Sequence, residues 1–305
     1  ITLPVFSLVF IGIWLKWRNK IDDAFTAQAS YIVFNLALPV LMFAAIVRTD
    51  INQIANARLI TFALLIAFLS FFVLWLGARF YRLKAENLGG FVQASFRSNL
   101  GILGLAFCVT TFAEPGLAIG ALLLAVITPI YNILSIYALT HAASMEAKMN
   151  WPQLLKGVIT NPLIVAILCA LPLAYMQWQP PMIMMRSIDY LAAMTLPLAL
   201  ICIGGSLSLS ALRQSQALSW FSVVIKLVLL PLVVGLSAYG VGFRGVELGC
   251  LILMFASPTA AASFVMVRAI GGNHVLAANI IALTTLVSMF TLSIAIYLLK
   301  VFALI

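Results

Sequence analysis

The chain has 305 residues, of which 64% are apolar and only 8% are charged, and its formal net charge is +9. A soluble globular protein is about 25% charged, so this composition leaves too little polar surface for a water-facing enzyme. Nucleic-acid binding is excluded as well, because the basic residues stand singly or in threes between apolar blocks, as the positive-inside rule predicts for a membrane protein.

Apolar runs between charges, prolines and glycines predict ten transmembrane helices, since each needs about 20 apolar residues. The predicted fold class is all-α, a polytopic membrane protein with little room for any other domain. The weakest division is the last one, where Gly271, Gly272 and Asn273 supply the only break. The predicted spans, numbered one to ten, are 1–16, 25–47, 58–79, 89–112, 116–140, 154–175, 182–209, 215–240, 246–268 and 273–303.

Lysine and arginine are unevenly distributed over the connectors. The odd-numbered connectors carry ten, whereas the even-numbered ones and the C-terminus carry five. Because basic residues collect on the cytoplasmic side, both termini are predicted to face outward from a bacterial inner membrane. No cleavable signal peptide is expected, since the first apolar run leads directly into a basic loop. Without an initial methionine, a few residues are expected to precede Ile1.

The two halves of the sequence match each other in four places, at offsets of 156 to 159. Five spans per half is an odd number, so the second half enters the membrane from the opposite side. We therefore predict two inverted repeats, 1–143 and 154–305, joined by a cytoplasmic connector, 144–153. Secondary transporters have this architecture, with the binding site between the repeats. The matches are Ile1-Thr2-Leu3-Pro4 with Ile159-Thr160-Asn161-Pro162, Leu38-Pro39 with Leu196-Pro197, Phe96-Arg97-Ser98-Asn99 with Phe255-Ala256-Ser257-Pro258, and Thr128, Asn132 and Ser135 with Thr284, Ser288 and Thr291.

Spans four and nine are predicted to be broken near their middle. Pro258 lacks an N–H and disrupts the helix of span nine, and the repeat places Ser98-Asn99 at the equivalent position in span four. Broken helices direct free N–H groups and positive dipole ends at a cavity, which favours an anion. The alternative is a proline that only kinks a packed helix. The candidate substrate-binding residues of the two breaks are Arg97, Ser98, Asn99, Gly101, Ser257, Pro258, Thr259 and Ser263.

Two cations lie within predicted spans. Inserting an arginine at the centre of a membrane helix costs about 2.5–3.5 kcal/mol of free energy. We therefore expect Arg97 to face a cavity, an acid or a substrate. The alternative is that its long side chain extends to the cytoplasmic surface. Lys226 is the coupling candidate, because it can carry or release a proton. Its partner is open: Asp189 lies nearer the outer end of span seven, and carbonyls freed by Pro231 are the other possibility.

Asn132, Thr285 and Ser288 are polar groups on spans five and ten, beside the predicted breaks. We expect them to contact the solute, although interhelical hydrogen bonds are the ordinary role of such residues. No metal site or cofactor is expected. Neither histidine has a second ligand at metal spacing, and the four cysteines are interpreted as packing thiols.

These motifs together resemble the auxin efflux carriers in their bacterial form. The resemblance covers most of the chain and rests on sequences in spans four, six, seven, eight and nine. They are Phe96-Arg97-Ser98-Asn99-Leu100-Gly101, Asn161-Pro162-Leu163-Ile164, Pro197-Leu198-Ala199-Leu200 with Ile203-Gly204-Gly205-Ser206-Leu207, Lys226-Leu227 with Pro231, and Ser257-Pro258-Thr259.

The resemblance implies ten helices with the N-terminus outside, and spans four and nine crossing as broken helices. It implies that spans one, two, six and seven form a scaffold, with a homodimer through helices two and seven, while the other spans move. The implied substrates are organic anions, such as malate or malonate in bacteria. Plant members have prolines at both breaks and a long insertion after span five. This chain has only Pro258 and a short connector, so plant-type auxin transport is not expected.

The leading hypothesis is a carrier that works by alternating access, with membrane lipid as its other partner. Its substrate is expected to be a small carboxylate, a dicarboxylate such as malate or malonate, or an auxin-like acid. Proton coupling or a uniport driven by the membrane potential is preferred to sodium. The alternatives are a sodium-coupled bile-acid-type symporter and a membrane sensor that binds solute without moving it. An intramembrane enzyme is the least supported, because it needs a nucleophile and base, or a metal set, at depth.

Overall fold

The computed structural model describes residues 2–48, 57–143, 160, 162–178, 180–207, 217–270 and 272–305. Regular structure in these ranges is helical, apart from one isolated two-residue bridge. The predicted connector 144–153 and the repeat matches at Ile1, Ile159 and Asn161 lie outside the described residues. In chain order the helices are α1 Thr2–Trp17, α2 Asp23–Val47, α3 Ala57–Phe80, α4 Ala85–Phe96, α5 Leu105–Ala143, α6 Pro162–Tyr175, α7 Met182–Ser206, α8 Ala217–Val241, α9 Gly245–Ala256, α10 Ala262–Ile270 and α11 His274–Val301.

Six helical segments in the described ranges are long and apolar enough to cross a membrane. They are α2, α3, α7, α8, α11 and the segment Leu100–Ala142. Three shorter apolar helices, Leu3–Trp17, Ile164–Tyr175 and Gly245–Ala256, accompany them. Many large apolar side chains face outward, as hydrocarbon surroundings allow. These features fit an integral membrane protein, and the count of ten spans stays a prediction.

Helix α5 reverses direction at Ala113, whose φ of 52° and ψ of −133° are not helical. Its first arm, 105–112, and its second arm, 114–143, lie close together where Gly116 meets Cys108. A Cβ at Gly116 would lie 2.1 Å from the Cys108 carbonyl oxygen. The reversal therefore depends on glycine, and it falls between the runs predicted as spans four and five.

Three π turns interrupt the helical geometry. Two of them, Val33–Ala37 in α2 and Ile225–Leu229 in α8, end two residues before Pro39 and Pro231. Proline has no N–H to donate, and its ring crowds the carbonyl four residues back, so the preceding turn widens. The third, Leu100–Gly104, leads into α5.

Helices α1, α2, α6 and α7 pack chiefly against one another, and the remaining helices form a second group. Within the first group, α1 and α7 touch backbone to backbone. A Cβ at Gly204 would lie 2.0 Å from the Val9 carbonyl oxygen, and one at Gly12 would lie 2.2 Å from that of Ile201. Small residues permit such close contact between membrane helices. The second group contains α4 and α9 and thus the breaks predicted in the sequence.

Candidate functional site

The chain leaves helical geometry at two places, and these places meet. Helix α4 ends at Phe96 and helix α9 ends at Ala256. The backbone N–H of Asn99 donates to the Pro258 carbonyl oxygen at 2.7 Å, and Ser98 forms an antiparallel bridge with Thr259. We call residues 97–99 and 257–261 together the crossing. It lies within the two stretches predicted to be broken, 89–112 and 246–268.

The two breaks have different local causes. Ser257 has a φ of −59° and a ψ of 144°, the extended conformation that a following proline imposes. The other break has no proline. There Arg97 is extended, and the Ala260 N–H donates to the Arg97 carbonyl oxygen at 3.3 Å. Pairing with the second segment therefore satisfies backbone groups that a broken helix leaves free.

Thr259 fastens the crossing to its neighbours on both sides. Its hydroxyl donates to the Ala94 carbonyl oxygen in α4 at 2.6 Å. Its backbone N–H donates to the Thr284 hydroxyl in α11 at 3.2 Å. Thr259 is buried, so both bonds are shielded from solvent. The crossing is thus held by side chains as well as by backbone pairing.

Lys226 of α8 forms hydrogen bonds with both broken segments. Its ammonium group donates to the carbonyl oxygen of Phe96 at 3.3 Å and to that of Phe255 at 3.1 Å. It also donates to the Ser98 hydroxyl. The carbonyls it reaches are those freed at the ends of α4 and α9, not carbonyls freed by Pro231, which corrects that part of the sequence interpretation.

The position of Lys226 has an electrostatic reason. The C-terminal end of a helix carries a partial negative charge, and α4 and α9 both end at the crossing. The ammonium group is fully buried, with 0% exposure, and it lies where two such ends converge. It therefore neutralises the negative ends and leaves the N-terminal ends of the following segments as the positive part of the crossing.

Arg97 is 8% exposed and its guanidinium group points to the second arm of α5. It donates to the Asn132 side-chain oxygen at 2.7 Å and to the Ser135 hydroxyl at 3.3 Å. Nη1, the nitrogen that donates to Ser135, also donates to the Met266 sulfur at 3.0 Å. These contacts hold Arg97 inside the protein, so the alternative that its side chain extends to the cytoplasmic surface is wrong. In the described part of the chain no carboxylate is among its hydrogen-bond partners, and only three of the five N–H donors of a guanidinium are used.

Several polar groups around the crossing keep unused hydrogen-bonding capacity. The Gln93 side-chain oxygen and the Ser263 hydroxyl are buried without a hydrogen-bond partner among the described residues. Tyr131 lies beside Ser98 and Arg97. Buried polar groups are normally hydrogen-bonded, so their clustering beside an unneutralised cation suits a polar ligand.

Other predicted site residues use their hydroxyls within their own helices. Ser257 donates to the Leu253 carbonyl oxygen at 2.8 Å, and Thr285 donates to that of Ile281 at 2.7 Å. Ser288 donates to the Thr285 carbonyl oxygen at 2.7 Å. Gly101 lies against Leu38 of α2. Contact of these four residues with a solute stays a prediction.

Four residues at the site, Ser135, Thr284, Met266 and Tyr131, are absent from the candidate set that the sequence predicts. Ser135 and Thr284 were both members of the internal repeat, and that signal could have placed them beside Asn132 in the candidate set. Met266, which lies 3.2 Å from the Gln93 amide nitrogen and also contacts Arg97, carried no sequence signal. Among the described residues, no group of three or more histidine, cysteine, aspartate or glutamate side chains could hold a metal ion.

Comparison with known proteins gives consistent matches over almost the whole chain. The family profile described as "Membrane transport protein" matches residues 2–296. A protein of Rhizobium meliloti (strain 1021) named "Putative malonate transporter" is 27% identical, covering 98% of this chain and 95% of its own length. An uncharacterized transporter of Methanocaldococcus jannaschii is 22% identical over 87% of this chain and 88% of its own. Another, from Methanothermobacter thermautotrophicus, is 26% identical over 85% and 84%.

Proposed function

Because the chain belongs to the membrane transport protein family, we propose that it carries a small carboxylate anion across the membrane at the crossing of its two broken segments. Membership in this family confirms the resemblance to the auxin efflux carriers read from the motifs. It also makes the chain a membrane transporter and not an enzyme. The substrate and the mechanism are the parts that we propose.

The observation that carries the proposal is the buried, partly unused guanidinium of Arg97. A carboxylate accepts charge-assisted hydrogen bonds from a guanidinium, often two at once. A buried cation without a carboxylate partner is costly, and an anionic substrate would offset that cost. The Tyr131 hydroxyl, which lies beside Ser98 and Arg97, adds a polar group next to it. We propose a small dicarboxylate such as malonate for these groups. The Rhizobium relative is named "Putative malonate transporter", which supports this choice.

Helix ends add a second favourable contribution. The π turn Leu100–Gly104 and helix α10 both begin just after the crossing, so their N-terminal ends point toward it. Helix N-termini offer free N–H groups and partial positive charge to anions. Lys226 meanwhile occupies the opposite, carbonyl-rich side. The proposed carboxylate therefore binds on the Arg97 side of the crossing, with Asn99, whose side chain makes no hydrogen bond to the described residues, next to it.

For the mechanism we propose alternating access between two inverted five-helix repeats, 1–143 and 154–305. The antiparallel bridge between the two breaks supports a two-fold relation of the repeats. The packing of α1, α2, α6 and α7 as one group supports a scaffold against which the other helices move. Lys226 is the proposed coupling residue, because it touches both broken segments and can carry or release a proton.

Uptake of radiolabelled malonate, malate and indole acetate into proteoliposomes tests the proposal. We expect uptake of at least one dicarboxylate. Arg97→Gln should reduce it by about 10- to 100-fold, because a hydrogen bond to a charged group contributes about 1.5–3 kcal/mol. The matched control is Arg186→Gln, an exposed arginine of α7, which should transport like the unchanged protein.

Three outcomes of the assay decide between the alternatives. Folded protein without flux of any carboxylate would contradict the proposal. Uptake that requires sodium at constant pH would favour the bile-acid-type symporter. Substrate binding without counterflow exchange would favour a sensor.

A further inference from the structure

A long apolar groove runs along the outside of the second helix group, between α3 and α8. Its volume is about 820 Å³. Its lining includes Leu69, Val73, Gly77, Phe221, Leu229 and Val233, with Phe91 of α4 at its floor. Among the residues that the structure describes, those lining the groove include no charged side chain. Ser70, one of its few polar members, donates its hydroxyl to the Ala67 carbonyl oxygen at 2.9 Å, so the groove presents no free polar group there.

The groove opens outward, and its shape suits an acyl chain. Leu69, Val73 and Phe221 on its walls are 55%, 60% and 53% exposed. From Ile66 to Leu83 it follows α3 and the turn after it for roughly 25 Å at the helical rise per residue. One leaflet contributes about half of a hydrocarbon core of about 30 Å. The groove is therefore long enough to hold a complete lipid tail.

One end of the groove carries a basic cluster. Tyr81 and Leu83 line that end, and Arg82 lies between them in the sequence. Arg79 and Lys84 flank the same turn, and all three basic side chains are exposed. Arg79 lies over the ring of Trp75 at 5.0 Å. In the described part of the chain none of the three has a carboxylate hydrogen-bond partner. This end therefore complements a negative charge at the membrane surface.

We propose that this groove is a binding site for an anionic glycerophospholipid of the surrounding bilayer. One acyl chain lies between α3 and α8, and the phosphate group binds at Arg82 and Lys84. Such an apolar channel that ends in adjacent basic residues matches the two parts of this ligand. A neutral lipid satisfies the first part only.

The site touches the transport machinery through α8. Ile225 and Leu229, the two ends of the π turn in α8, line the groove. Lys226, in the same turn, faces inward to the Phe96 and Phe255 carbonyls. A bound acyl chain therefore packs on the outer side of the turn that positions Lys226. Anionic lipid is expected to raise the transport rate by supporting this turn.

Native mass spectrometry of the delipidated protein tests the site independently of transport. Phosphatidylglycerol and phosphatidylcholine with identical acyl chains are the probes. Gly77→Leu fills the groove, and the added side chain meets no atom within 4 Å at its Cβ. The matched control is Gly240→Leu, another helical glycine with equally open surroundings, which does not line the groove. The double variant Arg82→Gln/Lys84→Gln tests the headgroup end.

We expect about tenfold stronger retention of phosphatidylglycerol than of phosphatidylcholine, which corresponds to about 1.4 kcal/mol. Gly77→Leu should abolish this retention and Gly240→Leu should keep it, while the double variant should equalise the two lipids. Equal binding of both lipids by the unchanged protein would overturn the headgroup assignment. Unchanged lipid binding by Gly77→Leu would overturn the groove as a lipid site. If this variant also changed from dimer to monomer while its bound lipid stayed the same, the occupant of the groove would be a second copy of the chain.

Discussion

Lys226 is a charged group buried without a carboxylate among its hydrogen-bond partners in the described residues. Moving an ammonium group out of water is costly, and the cost is offset only when its N–H donors are satisfied. Lys226 has three N–H donors and three oxygen acceptors, from Phe96, Phe255 and Ser98. Two of these acceptors come from α4 and its break and one from α9. One side chain therefore holds two segments that are far apart in the sequence.

Replacing Lys226 with methionine tests this role at the level of one residue. Lys226→Met keeps most of the length of the side chain but removes the donor to the Phe96 carbonyl oxygen and to the Ser98 hydroxyl. The Phe255 carbonyl oxygen still accepts from the Ser98 hydroxyl at 3.2 Å, whereas a buried acceptor that loses its donor costs about 1–3 kcal/mol of stability. We expect proteoliposome uptake to fall at least about tenfold. The matched control is Lys20→Met, an exposed lysine in the turn after α1, which should transport normally. Normal uptake by Lys226→Met would show that the crossing does not depend on the ammonium group.

At the scale of helices, α1 and α7 form the tightest contact described here. Gly12 and Gly204 place the two backbones against each other, and neither position has room for a methyl group. Packing of this kind replaces the hydrophobic effect, which does not drive helices together inside lipid. The pair can therefore act as a rigid element, as the proposed scaffold requires.

Gly204→Ala should weaken this contact. Its Cβ would lie 2.0 Å from the Val9 carbonyl oxygen, so the helices must separate, and overpacking of this kind costs about 1–3 kcal/mol. We expect a lower midpoint of thermal unfolding in detergent. Gly240→Ala is the control. It has open space around it and should be neutral or slightly stabilising, since alanine favours a helix by about 1 kcal/mol over glycine. Equal midpoints for the two variants would argue against the α1–α7 contact.

At the scale of the whole molecule, the helices divide into the group α1, α2, α6 and α7 and the group that contains the crossing. We propose that the first group also forms a homodimer through helices two and seven, corresponding to α2 and α7. Exposed apolar side chains on both helices, such as Tyr31 and Ile183, supply surface for it. Movement of one group against the other would then change the side from which Arg97 is reached.

The orientation of the molecule can be tested with reporter fusions. The distribution of basic residues predicts both termini outside and the turn after α3 in the cytoplasm. Alkaline phosphatase fused after Ile305 should be active, and green fluorescent protein fused there should be dark. Fusions after Lys84 should give the opposite result. The same reporter active at both positions would contradict an odd number of spans between them, and with it the proposed topology.

The sequence by itself determined the environment of this protein and the place of its breaks. An apolar content of 64% with 8% charge specifies a membrane protein, because the hydrocarbon of a bilayer solvates such an apolar surface and water does not. Pro258 specifies an interruption locally, since it cannot donate in a helix. The internal repeat predicts an equivalent interruption at residues 97–99, where the sequence has no proline. The family followed from the same motifs.

Only the tertiary structure decided which groups meet at the breaks. Lys226 and Phe96 are separated by 130 residues, and Arg97 and Met266 by 169. No local sequence pattern indicates contacts between residues so far apart in the chain. The sequence therefore left the partner of Lys226 open, and it left extension of Arg97 to the cytoplasmic surface as an alternative. Thr284 and Thr285 show the same limit. Adjacent residues of one type differ by about 100° around a helix, so packing alone decides which of them reaches the crossing. The Thr284 hydroxyl donates within its own helix and also accepts the Thr259 N–H, whereas the Thr285 hydroxyl donates to the Ile281 carbonyl oxygen of its own helix.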